Sequence, residues 1–262
     1  MIFIIGGAGF VGSAFVRELD ARGLSYRVIE KENYDDFVGK SCDLLINANG
    51  NSKKYLANED PVGDFDTSVR SVMASLVNFK YDFYLYLSSC DVYPDCSSSQ
   101  STLEDRALDP GDQSPYGFHK YLAEQCVRHF AKKWLIVRFG GFVGAGLRKN
   151  PIYDILHGGP LWLDPESELQ FLDTDKAAKI VLGLVDAGHV KETFNVCGNG
   201  LIKLREVIDA AGCPVKVQPG SPSVRYDVNT TKLLSVTEVP STRRTILNFV
   251  QAELQRGVVS NE

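Results

Sequence analysis

The sequence predicts an α/β fold: a doubly wound parallel sheet carrying a smaller, less regular C-terminal region. Three observations predict it. Apolar runs alternate with stretches of helical spacing, a glycine-rich turn directly follows the first run, and the regular alternation fades after residue 139.

Strand-like runs rich in β-branched and aromatic residues fall at 2–5, 27–29, 44–46, 83–87, 135–137 and 193–196. Helical spacing fills 11–21, 65–79, 115–133, 174–186, 204–211 and 242–254. Parallel neighbours need crossover connections, so this alternation puts helices on both faces of one sheet. The polar stretch 96–102, between Pro94 and Pro110, reads as a solvated surface loop. Beyond residue 139, Gly140, Gly141, Gly144, Gly146, Gly158 and Gly159 crowd together with Pro151 and Pro160, as in loops packed over a site.

Composition narrows the function. The chain has 262 residues, 44% of them apolar and 23% charged, which is ordinary for a globular protein. Its 28 basic and 33 acidic residues give a net charge of −5, so nothing draws it to a polyanion and nucleic acid is not an expected partner. The six cysteines form no Cys-x-x-Cys pair, so neither a metal site nor a disulfide framework is expected and a reducing compartment fits. No apolar run approaches the ~20 residues that cross a bilayer, and the first residues lack the basic region of a signal peptide. A cytoplasmic protein with no membrane partner is the expectation.

The segment Gly6-Gly7-Ala8-Gly9-Phe10-Val11-Gly12 follows a strand and runs into a helix. Glycines there permit a tight turn and close approach of the backbone to a pyrophosphate, and the helix N-terminus offers its free amides to the charge. This is the context of a dinucleotide site on a Rossmann sheet. The next strand ends at Glu30, near the position that reads ribose hydroxyls, which favours NAD; the adjacent Lys31 leaves NADP open. The expected division is a dinucleotide-binding domain over 1–140, then a mixed region over 141–262 that completes the sheet and forms a substrate-binding cap.

Tyr116 and Lys120 stand four apart on the helix expected from residue 115, so they share one face. A phenol with a reference pKa of about 10 is a weak acid at neutral pH, and a neighbouring ammonium favours its ionised form. Upstream, the run 83–87 leads into Ser88-Ser89-Cys90-Asp91-Val92-Tyr93, placing hydroxyls at the carboxyl end of a parallel strand, where ligands bind in open α/β sheets. Ser89 can orient a reacting oxygen there while Tyr116 exchanges the proton.

With Arg138-Phe139-Gly140-Gly141-Phe142-Val143-Gly144 and Phe194-Asn195-Val196 added to these motifs, the chain resembles the extended short-chain dehydrogenase/reductase superfamily. Within it, the resemblance is to the NAD-dependent epimerases and dehydratases that act on nucleotide sugars. It implies NAD held by Gly6, Gly9, Phe10, Val11, Gly12 and Glu30, with Lys120 on the nicotinamide ribose and lowering the Tyr116 pKa. It implies a catalytic group of Ser89, Tyr116 and Lys120, Ser89 lying four residues before Tyr93. Asp91 falls where dehydratases of the group carry a glutamate acid/base. A nucleotide-sugar substrate is implied, its diphosphate met by Arg148, Lys149, Asn150 and Arg225, as is a homodimer packed through the Tyr–Lys helix.

Two departures stand out. Ser68 occupies the place of a frequent asparagine, and no second acid/base is evident near Lys149 and Asn150. A keto-sugar reductase needs only Ser89, Tyr116, Lys120 and the cofactor, whereas epimerisation or dehydration needs more. Cys90 lacks a histidine partner and reads as packing. A non-catalytic dinucleotide sensor and a reductase of small non-sugar carbonyls stay open beside these readings.

Overall fold

A computed structural model describes residues 1–51 and 53–257. Its strands are β1 (Ile2–Ile5), β2 (Tyr26–Ile29), β3 (Ser41–Asn47), β4 (Lys80–Ser89), β5 (Trp134–Phe139), β6 (Gly141–Val143), β7 (Glu168–Leu169), β8 (Phe171–Asp173), β9 (Glu192–Val196) and β10 (Ile202–Lys203). The α-helices are α1 (Gly12–Ala21), α2 (Leu56–Glu59), α3 (Pro61–Phe65), α4 (Ser71–Asn78), α5 (Pro115–Phe130), α6 (Pro151–Leu156), α7 (Thr174–Asp186), α8 (Leu204–Ala211), α9 (Thr231–Leu234) and α10 (Thr242–Gln255).

The chain forms two compact units. The first comprises Met1–Pro94, Glu104–Phe139 and Ala178–Val196. It holds one parallel sheet of six strands, ordered β2-β1-β3-β4-β5-β9, and all six runs expected from the sequence lie in it. Strand alternation sends Phe3, Ile5, Leu45, Tyr84, Tyr86 and Ile136 to one face, where Val72 and Leu76 of α4 and Ala123 and Val127 of α5 cover them. The intervening Ile4, Ile46, Leu85 and Val137 are also buried, so both faces are covered. An Arg22–Asp186 ion pair joins the ends of α1 and α7 at 2.6 Å. The sheet is therefore the expected doubly wound one.

Its order reverses direction between β1 and β3, because the chain steps outward from β1 to β2 and then returns to the other side. At such a switch point the loops after the two strands diverge and leave a crevice at the carboxyl ends.

The second unit comprises Asp95–Leu103, Gly140–Ala177 and Cys197–Glu262. Its strands are short: β6 pairs β8 in parallel and β10 pairs β7 antiparallel. Its own core gathers Val143, Ile152, Ile155, Leu161, Phe171, Leu204, Val207, Ile246 and Val250.

Two expectations change. The stretch 96–102 is not simply solvated: Thr102 is fully buried, and its hydroxyl accepts from the Asn229 amide at 2.8 Å. Short polar side chains there satisfy backbone groups that hydropathy alone assigns to water. The helix expected over 65–79 is broken by a π-helical turn at Asp66–Arg70 between α3 and α4. Thr67 donates to the carbonyls of Gly63 and Asp64, and Ser71 donates to that of Thr67 at 2.6 Å; such back-bonding competes with the regular ladder.

Candidate active site

The glycine loop is shaped by contacts that exclude any side chain. A Cβ on Gly12 would lie 2.0 Å from the Gly6 carbonyl oxygen, so α1 approaches the loop only because residue 12 has none. Gly6 adopts φ 77°, and its amide donates to the Ile29 carbonyl at 3.0 Å. The first turn of α1 has no side-chain cap and no acidic residue; Ser13 and Ala14 donate to the Gly9 and Val11 carbonyls at 2.9 and 3.1 Å, so an external anion would be met by the loop amides ahead of them. The Glu30 carboxylate accepts from the Ala8 amide at 2.7 Å, so the strand-end acid sits against the loop. A turn that only glycine allows, an uncapped helix start and a carboxylate beside them fit a dinucleotide.

Ser89 closes β4 and caps a 3-10 turn, Cys90–Val92, accepting from the Asp91 amide at 3.2 Å. Its hydroxyl donates to Asp91 Oδ2 at 2.8 Å, and that same oxygen receives Lys54 Nζ at 2.6 Å. Helix α5 starts with Pro115 behind Ser114, whose hydroxyl accepts from the Gly117 amide at 3.1 Å. A Cβ on Gly117 would lie 2.0 Å from the Asp91 carbonyl oxygen. Its absence lets α5 bring the Tyr116 phenol near Ser89.

The electrostatics correct one expectation. Burial first, then the Asp91 charge, raises the Tyr116 pKa well above its ordinary value, with the Ser89 hydroxyl pulling against them. The Lys120 ammonium is not what tunes it: Lys120 Nζ donates to the Leu87 carbonyl at 3.2 Å and the Tyr86 hydroxyl at 3.4 Å. Burial lowers the Lys120 pKa to about 8, against the charges of Glu124, Asp64 and Asp91. Tyr116 thus keeps its proton and stands as a donor.

Buried polar partners around this cluster, Glu124 and Asp64 above all, escape a reading of motifs. Arg138 on β5 grips Glu124 of α5 through two hydrogen bonds at 2.9 and 2.7 Å, and donates to the Tyr93 hydroxyl at 2.8 Å. Ser88 donates to Glu124 at 2.7 Å, and Tyr93 to Asn195 of β9 at 2.9 Å. Burial opposes ionisation of Glu124, yet the charge and hydrogen bonds of Arg138 outweigh it and hold its pKa below the ordinary value. A lone arginine inside an otherwise apolar strand was the available signal. Asp64 is a second case, its carboxylate meeting His119 Nδ1 at 2.6 Å and Asn51 Nδ2 at 2.8 Å, with the Ser68 hydroxyl at 3.4 Å. Cys90 is fully buried, and its thiol donates to the Arg138 carbonyl at 3.3 Å.

The four residues expected on the substrate all belong to the second unit. Arg148 and Lys149 are exposed. Asn150 caps α6, accepting from the Tyr153 amide at 2.9 Å and donating to the Phe142 carbonyl at 2.7 Å. Arg225 pairs with Glu168 and, at 2.9 Å, with Asp227. Its charge is already answered by two carboxylates.

Residues 2–197 match the NAD dependent epimerase/dehydratase family. The chain belongs to that family. No curated protein sequence matches it. Among solved structures, the family member described here is similar to MoeE5 in complex with UDP-glucuronic acid and NAD, with a TM-score of 0.80 and 18% identity over 98% of this chain and 99% of that one. It is also similar to a UDP-galactose 4-epimerase, with a TM-score of 0.76 and 18% identity over 97% of this chain and 99% of that one. A dTDP-4-dehydrorhamnose reductase from Clostridium acetobutylicum gives a TM-score of 0.76 and 17% identity over 97% and 99%. The epimerase/dehydratase fold is thus shown, with NAD(P) as the cofactor of the family. Among the described residues no helix is long and apolar enough to cross a membrane, and no cluster of metal-ligating side chains occurs.

Proposed function

We propose that this protein is an NAD-dependent reductase of a nucleotide-linked keto-sugar. The observation that carries the reading is the state of the two acid/base candidates. Tyr116 holds its proton beside Ser89, ready to deliver it to a carbonyl oxygen, while the Asp91 carboxylate is engaged by Lys54 and Ser89 and is not free to abstract a ring proton. Epimerisation, the second reading, requires Asp91 to leave both partners.

In this reading Gly6, Gly9, Phe10, Val11 and Gly12 hold the pyrophosphate, Glu30 the adenosine ribose and Lys120 the nicotinamide ribose. When bound, NAD supplies or accepts the hydride. Ser89 orients the substrate oxygen and Tyr116 gives it a proton. Glu30 favours NAD, because a 2′-phosphate there would meet its carboxylate. Arg148 and Lys149 meet the substrate diphosphate, with Asn150 shaping their loop; Arg225 must exchange its carboxylates to join them. A homodimer covering the apolar groove of Phe65, Val69, Leu122 and Phe130 is part of the proposal, read by light scattering on a size-exclusion column.

The test is consumption of NADH with a nucleotide-linked keto-sugar. Tyr116→Phe should lower the rate by roughly 10²–10⁴-fold while NAD binding by titration calorimetry hardly changes. Deuterium entering the sugar ring from solvent, and lost in Asp91→Asn, would establish epimerase chemistry instead.

A further inference from the structure

We propose that Asp64 is a positioning residue of the site: by binding Asn51 on one side and His119 on the other, it pins the loop after β3 to helix α5 and so sets Lys54 on Asp91. The proposal rests on the reductase reading above, in which Lys54 engages the Asp91 carboxylate.

Asp64 lies on α3 with its side chain wholly buried. A charge in such a place costs stability unless it is paired and hydrogen-bonded, and an apolar side chain of similar size commonly fills it at less cost. The carboxylate therefore has a use beyond packing. Its two oxygens reach different elements. Oδ2 meets His119 Nδ1 on α5 at 2.6 Å, while Oδ1 accepts from Asn51 Nδ2 in the loop at 2.8 Å and from the Ser68 hydroxyl at 3.4 Å. A carboxylate only accepts, so His119 donates from Nδ1 and Asp64 bridges two donors. The His119 ring is held in turn: Phe65 stands edge-on to it, with centroids 5.7 Å apart, and Lys120 follows it on α5.

Asn51 carries the tie into the loop. Its Nδ2 also donates to the Lys53 carbonyl at 2.9 Å, and its Oδ1 accepts from the Lys53 amide at 2.7 Å. One side chain thus closes the turn 51–53 and fastens it to Asp64. Before the turn, Gly50 has φ 147° and runs so close to α5 that a Cβ there would stand 3.1 Å from Lys120 Nζ. After it, Lys54 reaches Asp91 Oδ2 at 2.6 Å, although its side chain is 61% exposed. An exposed lysine has rotamer freedom to lose, so a fixed backbone beneath it lowers the cost of that contact. Asp64 supplies the fixing from the buried side.

The test reads the Lys54 amine and needs neither substrate nor cofactor, so its failure is distinct from that of the reductase assay. The folded protein is labelled with a trace of acetic anhydride, and peptide mass spectrometry gives the labelling of Lys54 relative to Lys53, its exposed neighbour. Asp91→Asn removes the ion pair directly and sets the full rise, about two- to fivefold for an exposed pair. Asp64→Leu, which packs but accepts nothing, should give most of that rise. Asp64→Asn should return the ratio to its native value, since its carbonyl accepts from Asn51 and its amide donates to His119 in the other tautomer. Asn51→Ser keeps a turn-forming oxygen but is too short to reach Asp64, so it should raise the ratio with Asp64 still paired to His119, whether or not Asp64→Leu folds. A merely structural Asp64 would lower the temperature of thermal unfolding in Asp64→Leu and leave the ratio unmoved. That result, a native ratio in Asn51→Ser, or a ratio unmoved by Asp91→Asn would each overturn the proposal.

Discussion

In the first unit Arg138 is 2% exposed, with its guanidinium held by Glu124 and Tyr93, whereas in the second unit Arg225 is 46% exposed between Glu168 and Asp227. Both arginines answer carboxylates, but the surroundings set what each pair does. The buried pair ties β5 to α5, the helix that carries Tyr116 and Lys120, and Ser88 and Asn195 extend the tie to β4 and β9. Its role is to position, since a buried pair contributes little net stability against apolar groups of the same shape. The exposed pair sits in high dielectric and holds nothing that reacts. The charge of Arg138 serves the geometry of the site, and that of Arg225 is paired at a surface.

The largest effect expected from this difference is that of Arg138→Met, which leaves the buried Glu124 with only the more distant Arg128, at 3.5 Å, as counter-ion. Loss of about 3–5 kcal/mol by denaturant unfolding is expected. The double variant Arg138→Met with Glu124→Met should recover most of that stability but not the activity, because α5 then loses its register on β5. Recovery of both would show that the pair does not position the site.

Lys120→Met is the next effect, and it appears in the pH dependence. The folded pKa, lowered to about 8 against an ordinary 10.5, means that the unfolded chain binds more protons between those values. Stability contributed by this group therefore rises with pH from about 8 to 10.5, and its cost is fully present below 8. The expected difference between native and Lys120→Met stability across that window is on the order of 3 kcal/mol, with the variant losing the rise. Parallel curves in the two proteins would show that Lys120 is not held in the desolvated setting described.

The smallest effect belongs to Arg225→Ala. Exposed pairs contribute about 0–1 kcal/mol, and thermal unfolding should barely shift. A large loss would place Arg225 in a folding role and break the contrast between the units. A weakened nucleotide-sugar affinity with unchanged stability would instead put Arg225 on the diphosphate.

The sequence by itself determined what short-range pattern can encode. Alternating and helical periodicities placed all six strands of the main sheet and most of its helices, because burial on one or both faces repeats with the period of each element. The glycine loop was legible for a similar reason: a strand, a turn without side chains and a helix are contiguous, and the clash that a Cβ on Gly12 would cause lies within one turn of chain. Tyr116 and Lys120 were legible as neighbours on one helix.

Only the tertiary structure decided which groups meet across elements. Lys54 on Asp91, Glu124 under Arg138 and Asp64 on His119 join residues far apart in the chain, and no local pattern ranks one distant partner over another. The protonation of Tyr116 was misjudged from spacing for the same reason. Sharing a face with Lys120 suggested a lowered pKa, but burial and the carboxylate of Asp91 act through space and raise it. The π-helical turn at Asp66–Arg70 likewise depends on where Thr67 and Ser71 find acceptors, a choice made between competing hydrogen bonds only once the chain is packed.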